Sequence, residues 1–300
     1  MASVSRRAFL RTSLAAGVAG PALLGGCTAE AAQPPADLGQ RFAALEQQYG
    51  ARLGVYAINT RTGVTVTHRA DERFPMCSTF KTLAAAAILR DRDQHGEFLA
   101  KVIPYARADL VANSPVTEKH VGAGMRVDQL CAAAIQYSDN TAANLMLREI
   151  GGPAGVTAFC RSIGDPATRL DRWETALNSA LPGDPRDTTT PAAIGRDYDQ
   201  LVLGRALSRE DAALLTGWLC GNTTSSKRFR AGLPVGWRLG DKTGGGDYGT
   251  NNDVGVTWTT RGTPLVLVAL STRHTQDAAP QDALLADTAR LLAGTLAPGE

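Results

Sequence analysis

The stretch "MCSTFKTLAAAAILR", residues 76–90, places Ser78 and Lys81 three positions apart at the head of an Ala/Leu/Ile run with the composition of a buried helix. Three residues along an α-helix, at about 1.5 Å rise and 3.6 residues per turn, bring a side chain back to the same face. Ser78 at the helix start would sit among unpaired backbone N–H groups at the positive end of the helix dipole, where developing negative charge is stabilised. A serine hydroxyl is a poor nucleophile at neutral pH, and a neighbouring amine of lowered pKa can serve as its base. Two more segments carry polar groups at useful places. "YSDNTAANL" sets Ser138, Asp139 and Asn140 at a helix entry, and "GDKTGGGDYG" sets Lys242, Thr243 and Gly244 on a strand followed by further glycine, against which a substrate backbone could lie. Each alone has an ordinary reading: a helix cap, a snorkelling lysine, a turn.

The elements that must position these groups follow from periodicity. "LGQRFAALEQQYG" repeats apolar residues at helical spacing and ends at Gly50, and "RLGVYAINTRTGVTVTHRA" reads as two strands around a turn at residues 59–63. From about Met76 to Leu219 the pattern is helical, with runs at 78–90, 127–136, 140–150, 153–163, 191–204 and 208–219 separated by Gly/Pro/Asp loops. Strands return in "GWRLGDKTGGG", "NNDVGVTWTT" and "PLVLVALST", and "AAPQDALLADTARLLAGTL" closes as an amphipathic helix. The expected fold class is α/β plus all-α. An antiparallel-type sheet domain flanked by terminal helices is built from both chain ends, residues 37–75 and 220–298, with an all-helical domain inserted at 76–219. A cleft is expected where the two meet.

With 44% hydrophobic and 20% charged residues, the 300-residue chain has the composition of a globular protein. Its net charge of +2 without a Lys/Arg block gives a phosphate backbone no complementary surface, so no nucleic-acid partner is expected. The opening "SRRAFLRTSLAAGVAGPALLGGC" has Arg6 and Arg7 before a Gly-broken apolar stretch too short to span a membrane. It resembles a twin-arginine export signal over residues 1–27. Leu24-Gly25-Gly26-Cys27 resembles a lipobox, which implies an exported protein tethered through lipidated Cys27, with residues 28–36 as the tether; cleavage in the Ala-rich "CTAEAAQ" is the alternative. Four further cysteines, Cys77, Cys131, Cys160 and Cys220, read as small buried hydrophobes. His68, His95, His120 and His274 are scattered without metal-ligand spacing, so no metal is expected.

Ser-x-x-Lys, Ser-Asp-Asn and Lys-Thr-Gly, in this order and over this length, resemble the motif set of the class A serine β-lactamases within the wider penicillin-recognising family. The resemblance covers essentially the whole chain after the signal. "RLDRWETALNSALPGDPRDTTTP" adds Glu174 and Asn178 in a Pro/Gly/Asp-rich segment similar to the omega loop of that class, about residues 169–187, with Arg172 and Asp187 at the positions of an ion pair across its neck. The resemblance implies hydrolysis of the β-lactam amide of penicillins and cephalosporins through an acyl-serine, hence antibiotic resistance, by a monomer that needs no cofactor. Ser78 would be the nucleophile, with the backbone N–H groups of Ser78 and Gly245 as oxyanion hole. Lys81, or Glu174 through water, would take the serine proton. Ser138 would relay a proton to the ring nitrogen with Lys242 beside it, and Glu174 with Asn178 would hold and activate the hydrolytic water. Asn140 would bind the substrate's amide side chain; Thr243, Gly244 and Gly245 would line the substrate strand.

The chain departs from relatives in several places. Relatives that bridge the cysteine before the nucleophile do so to the position of Gly246, and others bridge the position of Cys131 to that of Ala85; neither bridge can form here. An aromatic wall common at the cleft mouth falls on Asn113. The arginine that often binds the substrate carboxylate falls on Asn251, and Arg228 is the expected replacement, with Lys242 and Thr243. A D-Ala-D-Ala peptidase shares two of the motifs but has no use for Glu174 and Asn178, and a β-lactam sensor would be expected with membrane helices and a signalling partner.

Overall fold

The structure, a computed structural model, describes residues 37–300. The export signal, Cys27 and the tether lie outside the described residues. Helix α1 (Leu38–Tyr49) ends on Gly50, which takes the left-handed conformation (φ 55°) and turns the chain into strand β1 (Arg52–Asn59), hairpinned to β2 (Thr65–His68).

The middle of the chain runs through β3 (Phe74–Pro75), α2 (Phe80–Ala87), α3 (Glu97–Ala100), β4 (Val102–Ile103), β5 (Met125–Arg126), α4 (Val127–Gln136), α5 (Asn140–Glu149), α6 (Pro153–Ser162), β6 (Thr188–Thr189), α7 (Pro191–Tyr198), α8 (Arg209–Cys220) and α9 (Phe229–Gly232). It then returns to the sheet as β7 (Arg238–Gly246), β8 (Thr250–Trp258) and β9 (Pro264–Thr272), and finishes with α10 (Asp282–Leu296).

The five-stranded sheet has the order β2-β1-β9-β8-β7, antiparallel throughout, so the two chain ends meet at the β1–β9 pair, in register from Arg52 with Thr272 to Asn59 with Leu265. Side chains alternate across it. Leu53, Val55, Ala57, Leu265, Leu267 and Ala269 pack with Phe42 of α1 and Leu284, Leu285 and Leu292 of α10. Tyr56, Val254, Val256, Val266, Val268 and Leu270 face the other way and pack with the helical part. Burial on both faces explains why "PLVLVAL" is continuously apolar. The boundary between sheet and helical parts is one of chain topology, since apolar packing runs across it.

The helical runs are less regular than their periodicity suggests. The segment expected as one helix over 78–90 is a 3₁₀ turn (Cys77–Thr79), α2, and a π turn (Ile88–Arg92), and that over 191–204 is α7 followed by a π turn (Asp199–Leu203). Every residue of α2 is buried, so no polar stripe marks where the hydrogen-bond register changes. The part expected to be all-helical also carries the β4–β5 ladder, and β3 pairs with β6 at its border. Two-residue ladders are too short to leave an alternating signal. The β3–β6 pair ties the end of the 169–187 loop to the segment leading into Ser78, reinforced by the Met76 N–H donating to Asp187 O at 2.9 Å.

Candidate active site

The nucleophile turn is held in an unusual backbone state. Cys77 has φ 46°, a left-handed conformation that costs a non-glycine residue about 1–3 kcal/mol and persists only where the surroundings impose it. They do so here. Asn252 Nδ2 donates to Pro75 O at 2.8 Å and Met76 O at 3.0 Å, and β7 lies so close that a Cβ on Gly244 would stand 2.7 Å from Met76 O. The glycine of the Lys-Thr-Gly motif thus lets the strand press against the Ser78 turn, and Gly245, exposed one residue on, leaves the strand open to the cleft. β7 is an edge strand, and the carbonyls of Thr243 and Gly244 on it already accept from Lys242 Nζ and Arg228 Nη1, so the exposed Gly245 is the part of the strand left open. A Cβ on Gly246 would lie 2.8 Å from Cys77 Sγ, so the positions bridged in some relatives are adjacent here without a bridge. Cys77, Cys131, Cys160 and Cys220 are all free thiols, the first three buried.

Lys81, wholly buried, has three ammonium protons and three close acceptors: Asn140 Oδ1 at 2.6 Å, Ser138 O at 2.9 Å and Glu174 Oε1 at 3.1 Å. Ser138 Oγ stands slightly farther off, at 3.4 Å. Burial pushes the Lys81 pKa below its ordinary value, opposed by the Glu174 carboxylate. Ser78 Oγ donates to Glu174 Oε1 at 3.3 Å. On the far side, Lys242 Nζ donates to Ser138 Oγ at 3.1 Å and to Thr243 O at 2.8 Å; burial, then the charges of Lys81 and Arg228, push its pKa well down. Ser138 also has a left-handed backbone, φ 56°. Asp139 caps α5 through Ala142 N–H and accepts from Val116 N, Thr117 N and Thr117 Oγ1, pinning the cleft-mouth loop.

Glu174 is carried by the loop but aimed by helix α5. Asn144 brackets its backbone, accepting from Glu174 N and donating to Glu174 O, both at 3.0 Å. Asn178 Nδ2 donates to Glu174 Oε2 at 2.6 Å, while Asn178 Oδ1 is buried without a partner among the described residues. The loop neck is closed by Arg172 Nε donating to Asp187 Oδ2 at 2.5 Å and by the Asp171 and Arg172 N–H groups donating to Asp187 Oδ1 at 2.7 and 2.9 Å. The ion pair expected from the loop sequence is therefore present. Asn144 was not anticipated; its four-residue spacing from Asn140 puts both on one face of α5, a signal the sequence does carry.

Arg228 is half-buried beneath β7. Its Nε donates to Asp282 Oδ1 at 2.9 Å and its Nη1 to Gly244 O and Asn252 O at 3.1 Å each, leaving Nη2 without an acceptor among the described residues. Asn251 reaches the same Asp282 Oδ1 at 3.0 Å. Asn140 Nδ2 donates to Ala112 O at 2.8 Å, so one of its amide protons remains for another acceptor. Asn113, in place of an aromatic wall, donates to Ser138 O at 3.0 Å and buttresses the motif. Ser78, Lys81, Ser138, Asn140, Glu174, Asn178 and Lys242 thus form one linked polar cluster, bordered by Thr243, Gly244, Gly245 and Arg228.

The chain is similar to known proteins over most of its length. Residues 37–296 match the model of the β-lactamase enzyme family. A β-lactamase of Streptomyces lavendulae is 58% identical over 97% of both chains. The solved β-lactamase of Streptomyces albus G superposes with a TM-score of 0.85 at 58% identity, covering 87% of this chain and 99% of that one. A mutant of the last common ancestor of Gram-negative bacteria class A β-lactamase does so with a TM-score of 0.82 at 54% identity, covering 85% and 97%. The chain belongs to the β-lactamase enzyme family, in its class A serine branch.

Proposed function

We propose that the protein hydrolyses the β-lactam amide of penicillins and cephalosporins through an acyl-enzyme on Ser78, and so protects its host against these antibiotics. The observation that carries this reading is the Ser78–Glu174–Lys81–Ser138–Lys242 cluster, buried except for half-buried Ser138, in which Ser78 donates to Glu174, Lys81 pairs with Glu174 and reaches Ser138, and Lys242 donates to Ser138. Lys81 has as many close acceptors as an ammonium has protons, so its resting form is charged and Glu174 receives the Ser78 proton.

A closed proton circuit follows. Ser78 attacks the carbonyl carbon, and the Ser78 and Gly245 N–H groups hold the oxyanion. As the ring C–N bond breaks, Ser138 protonates the nitrogen and is reprotonated by Lys81, which takes back the serine proton from Glu174. In the second half Glu174, with Asn178 Oδ1 as a second acceptor, orients and deprotonates the water that cleaves the ester. Arg228 Nη2, Thr243 and Lys242 bind the substrate carboxylate, and the remaining Asn140 amide proton binds the acylamido carbonyl. The circuit needs no cofactor.

We further propose export as a monomer by the twin-arginine route and tethering at Cys27, on the strength of the Arg6-Arg7 and Leu-Gly-Gly-Cys sequences. The function is tested with purified protein, a chromogenic cephalosporin and a penicillin: many turnovers per enzyme, abolished in Ser78→Ala, are expected. Turnover persisting in Ser78→Ala refutes the serine mechanism.

A further inference from the structure

A chain of hydroxyl and amide groups runs from the Lys-Thr-Gly strand into the core. Thr243 Oγ1 lies 2.5 Å from Thr224 Oγ1. Thr224 Oγ1 is 2.7 Å from Asn222 Oδ1, which also accepts the Thr224 backbone N–H at 3.0 Å. Asn222 Nδ2 donates to Asp241 Oδ1 at 3.0 Å. Asp241 in turn contacts Asp253, whose carboxyl is pushed well above the usual range by burial and then by Asp241. Thr243, Asn222, Asp241 and Asp253 are buried and Thr224 is half-buried, so bulk water does little to blur these assignments.

Counting protons restricts the chain to two states. The Asn222 amide is oriented at both ends, its nitrogen by a carboxyl group and its oxygen by a backbone N–H, so toward Thr224 it can only accept. Two hydroxyl oxygens 2.5 Å apart need one proton between them. Thr224 has a single hydroxyl proton. If that proton goes to Asn222, Thr243 must donate to Thr224 and turns a lone pair toward the cleft. If Thr224 donates to Thr243, the Thr243 proton points into the cleft. An anion there selects the second state; Asn222 Oδ1 keeps the Thr224 N–H, and its 2.7 Å contact with Thr224 Oγ1, then without a proton, must lengthen, a cost the charge-assisted bond to the anion has to exceed.

We propose that Thr224 is a positioning residue that sets the direction of the Thr243 hydroxyl proton and thereby the hold on the substrate carboxylate. The inference rests on the reading of Thr243 as a carboxylate ligand given above. In the substrate-bound state Thr224 donates into Thr243, which strengthens Thr243 as a donor and denies its proton any other direction. Carboxylate binding is shared by ground and transition states, so its loss appears in KM more than in kcat.

Thr224→Val keeps the side-chain shape and deletes the hydroxyl. With a penicillin the expected result is a KM raised about five- to tenfold, the size of one hydrogen bond, with kcat within about twofold. Thr224→Ser should match the unmodified enzyme. Against a Thr243→Val background, adding Thr224→Val should change KM by less than about twofold, because the group through which Thr224 acts is gone. Melting curves accompany each variant, and Thr224→Ala is read by the same KM and kcat split if the valine variant does not fold. The inference is overturned if Thr224→Val leaves KM unchanged, if Thr224→Ser is as impaired as Thr224→Val, or if Thr224→Val raises KM as much without the Thr243 hydroxyl as with it. If Thr243→Val itself leaves KM unchanged while turnover persists, the assignment of Thr243 fails as well; if Thr243→Val raises KM and Thr224→Val does not, only the role of Thr224 fails.

Discussion

Replacing Arg228 by alanine separates a carboxylate anchor from a strut. Arg228 Nε bonds Asp282 and Nη1 bonds the carbonyls of Gly244 and Asn252, so the side chain supports the β7–β8 edge whatever else it does. Charge-assisted hydrogen bonds are each worth about 1.5–3 kcal/mol when buried. The Arg228 and Asp282 side chains are 17% and 36% exposed, and solvent screening reduces the total to about 1–2 kcal/mol. That corresponds to a melting midpoint lower by about 2–6 °C. A merely solvated arginine would change stability by less than about 0.5 kcal/mol. If Nη2 also binds the substrate carboxylate, kcat/KM for a penicillin falls by about tenfold or more, equivalent to about 1.4 kcal/mol of transition-state binding. Asp282→Asn is the control: it removes the carboxylate that Nε bonds but leaves the guanidinium, so it should lower the midpoint and largely spare kcat/KM. Asn251→Arg in the Arg228→Ala background should recover activity, because Asn251 already reaches Asp282 Oδ1 from the neighbouring strand. An Arg228→Ala enzyme with a lowered midpoint and unchanged kcat/KM would reduce Arg228 to a strut and refute the argument.

The same charges set a pH limit. Lys242 is well below the free-lysine value of 10.5, first through burial and then through Lys81 and Arg228, so the alkaline limb of kcat/KM should fall below pH 10.5 as Lys242 loses its charge. Arg228→Ala removes one of those positive neighbours and should move the limb upward; a downward or absent shift in the pH profile contradicts the assignment. For export, replacing Arg6 and Arg7 together by lysine should leave the protein in the cytoplasmic fraction, and Cys27→Ala should release it from the membrane fraction. Membrane association that survives Cys27→Ala rules out the lipid tether.

Much of the site was legible because its groups lie in short motifs. Ser78 with Lys81, Ser138 with Asn140, and Lys242 with Thr243 are each at most three residues apart, so local spacing carries their geometry even where a 3₁₀ turn or a cap lies between the element and the motif's first residue. The order of strands and helices was legible for a similar reason, since the sheet strands and amphipathic ends keep their periods. The supports were not. Asn222, Thr224, Asn252 and Asp282 act through contacts between elements remote in sequence, and each has an ordinary local reading; Asp282 in the first turn of α10 passes for a helix-dipole acid. Gly244, expected to line the substrate strand, also packs closely against Met76 O, a role that only the approach of β7 to the Ser78 turn reveals. The breaks in the helical runs were hidden because α2 is buried all round and has no polar face whose drift would mark them.

The division of labour between Ser78 and Glu174 is the center of the account, and the mass of Glu174→Ala after mixing with a penicillin tests it most directly. Lys81 keeps Asn140 and Ser138 as partners in this variant, and burial already lowers its pKa, so it can take the Ser78 proton once Glu174 is gone. Acylation should therefore proceed, slower, while no carboxylate remains to activate water. The expected product is a protein heavier by one intact penicillin, the adduct mapping to the Ser78 peptide and decaying at least about a hundredfold more slowly than turnover of the unmodified enzyme. An unmodified mass under these conditions, an adduct on another residue, or steady-state turnover at the unmodified rate would contradict it.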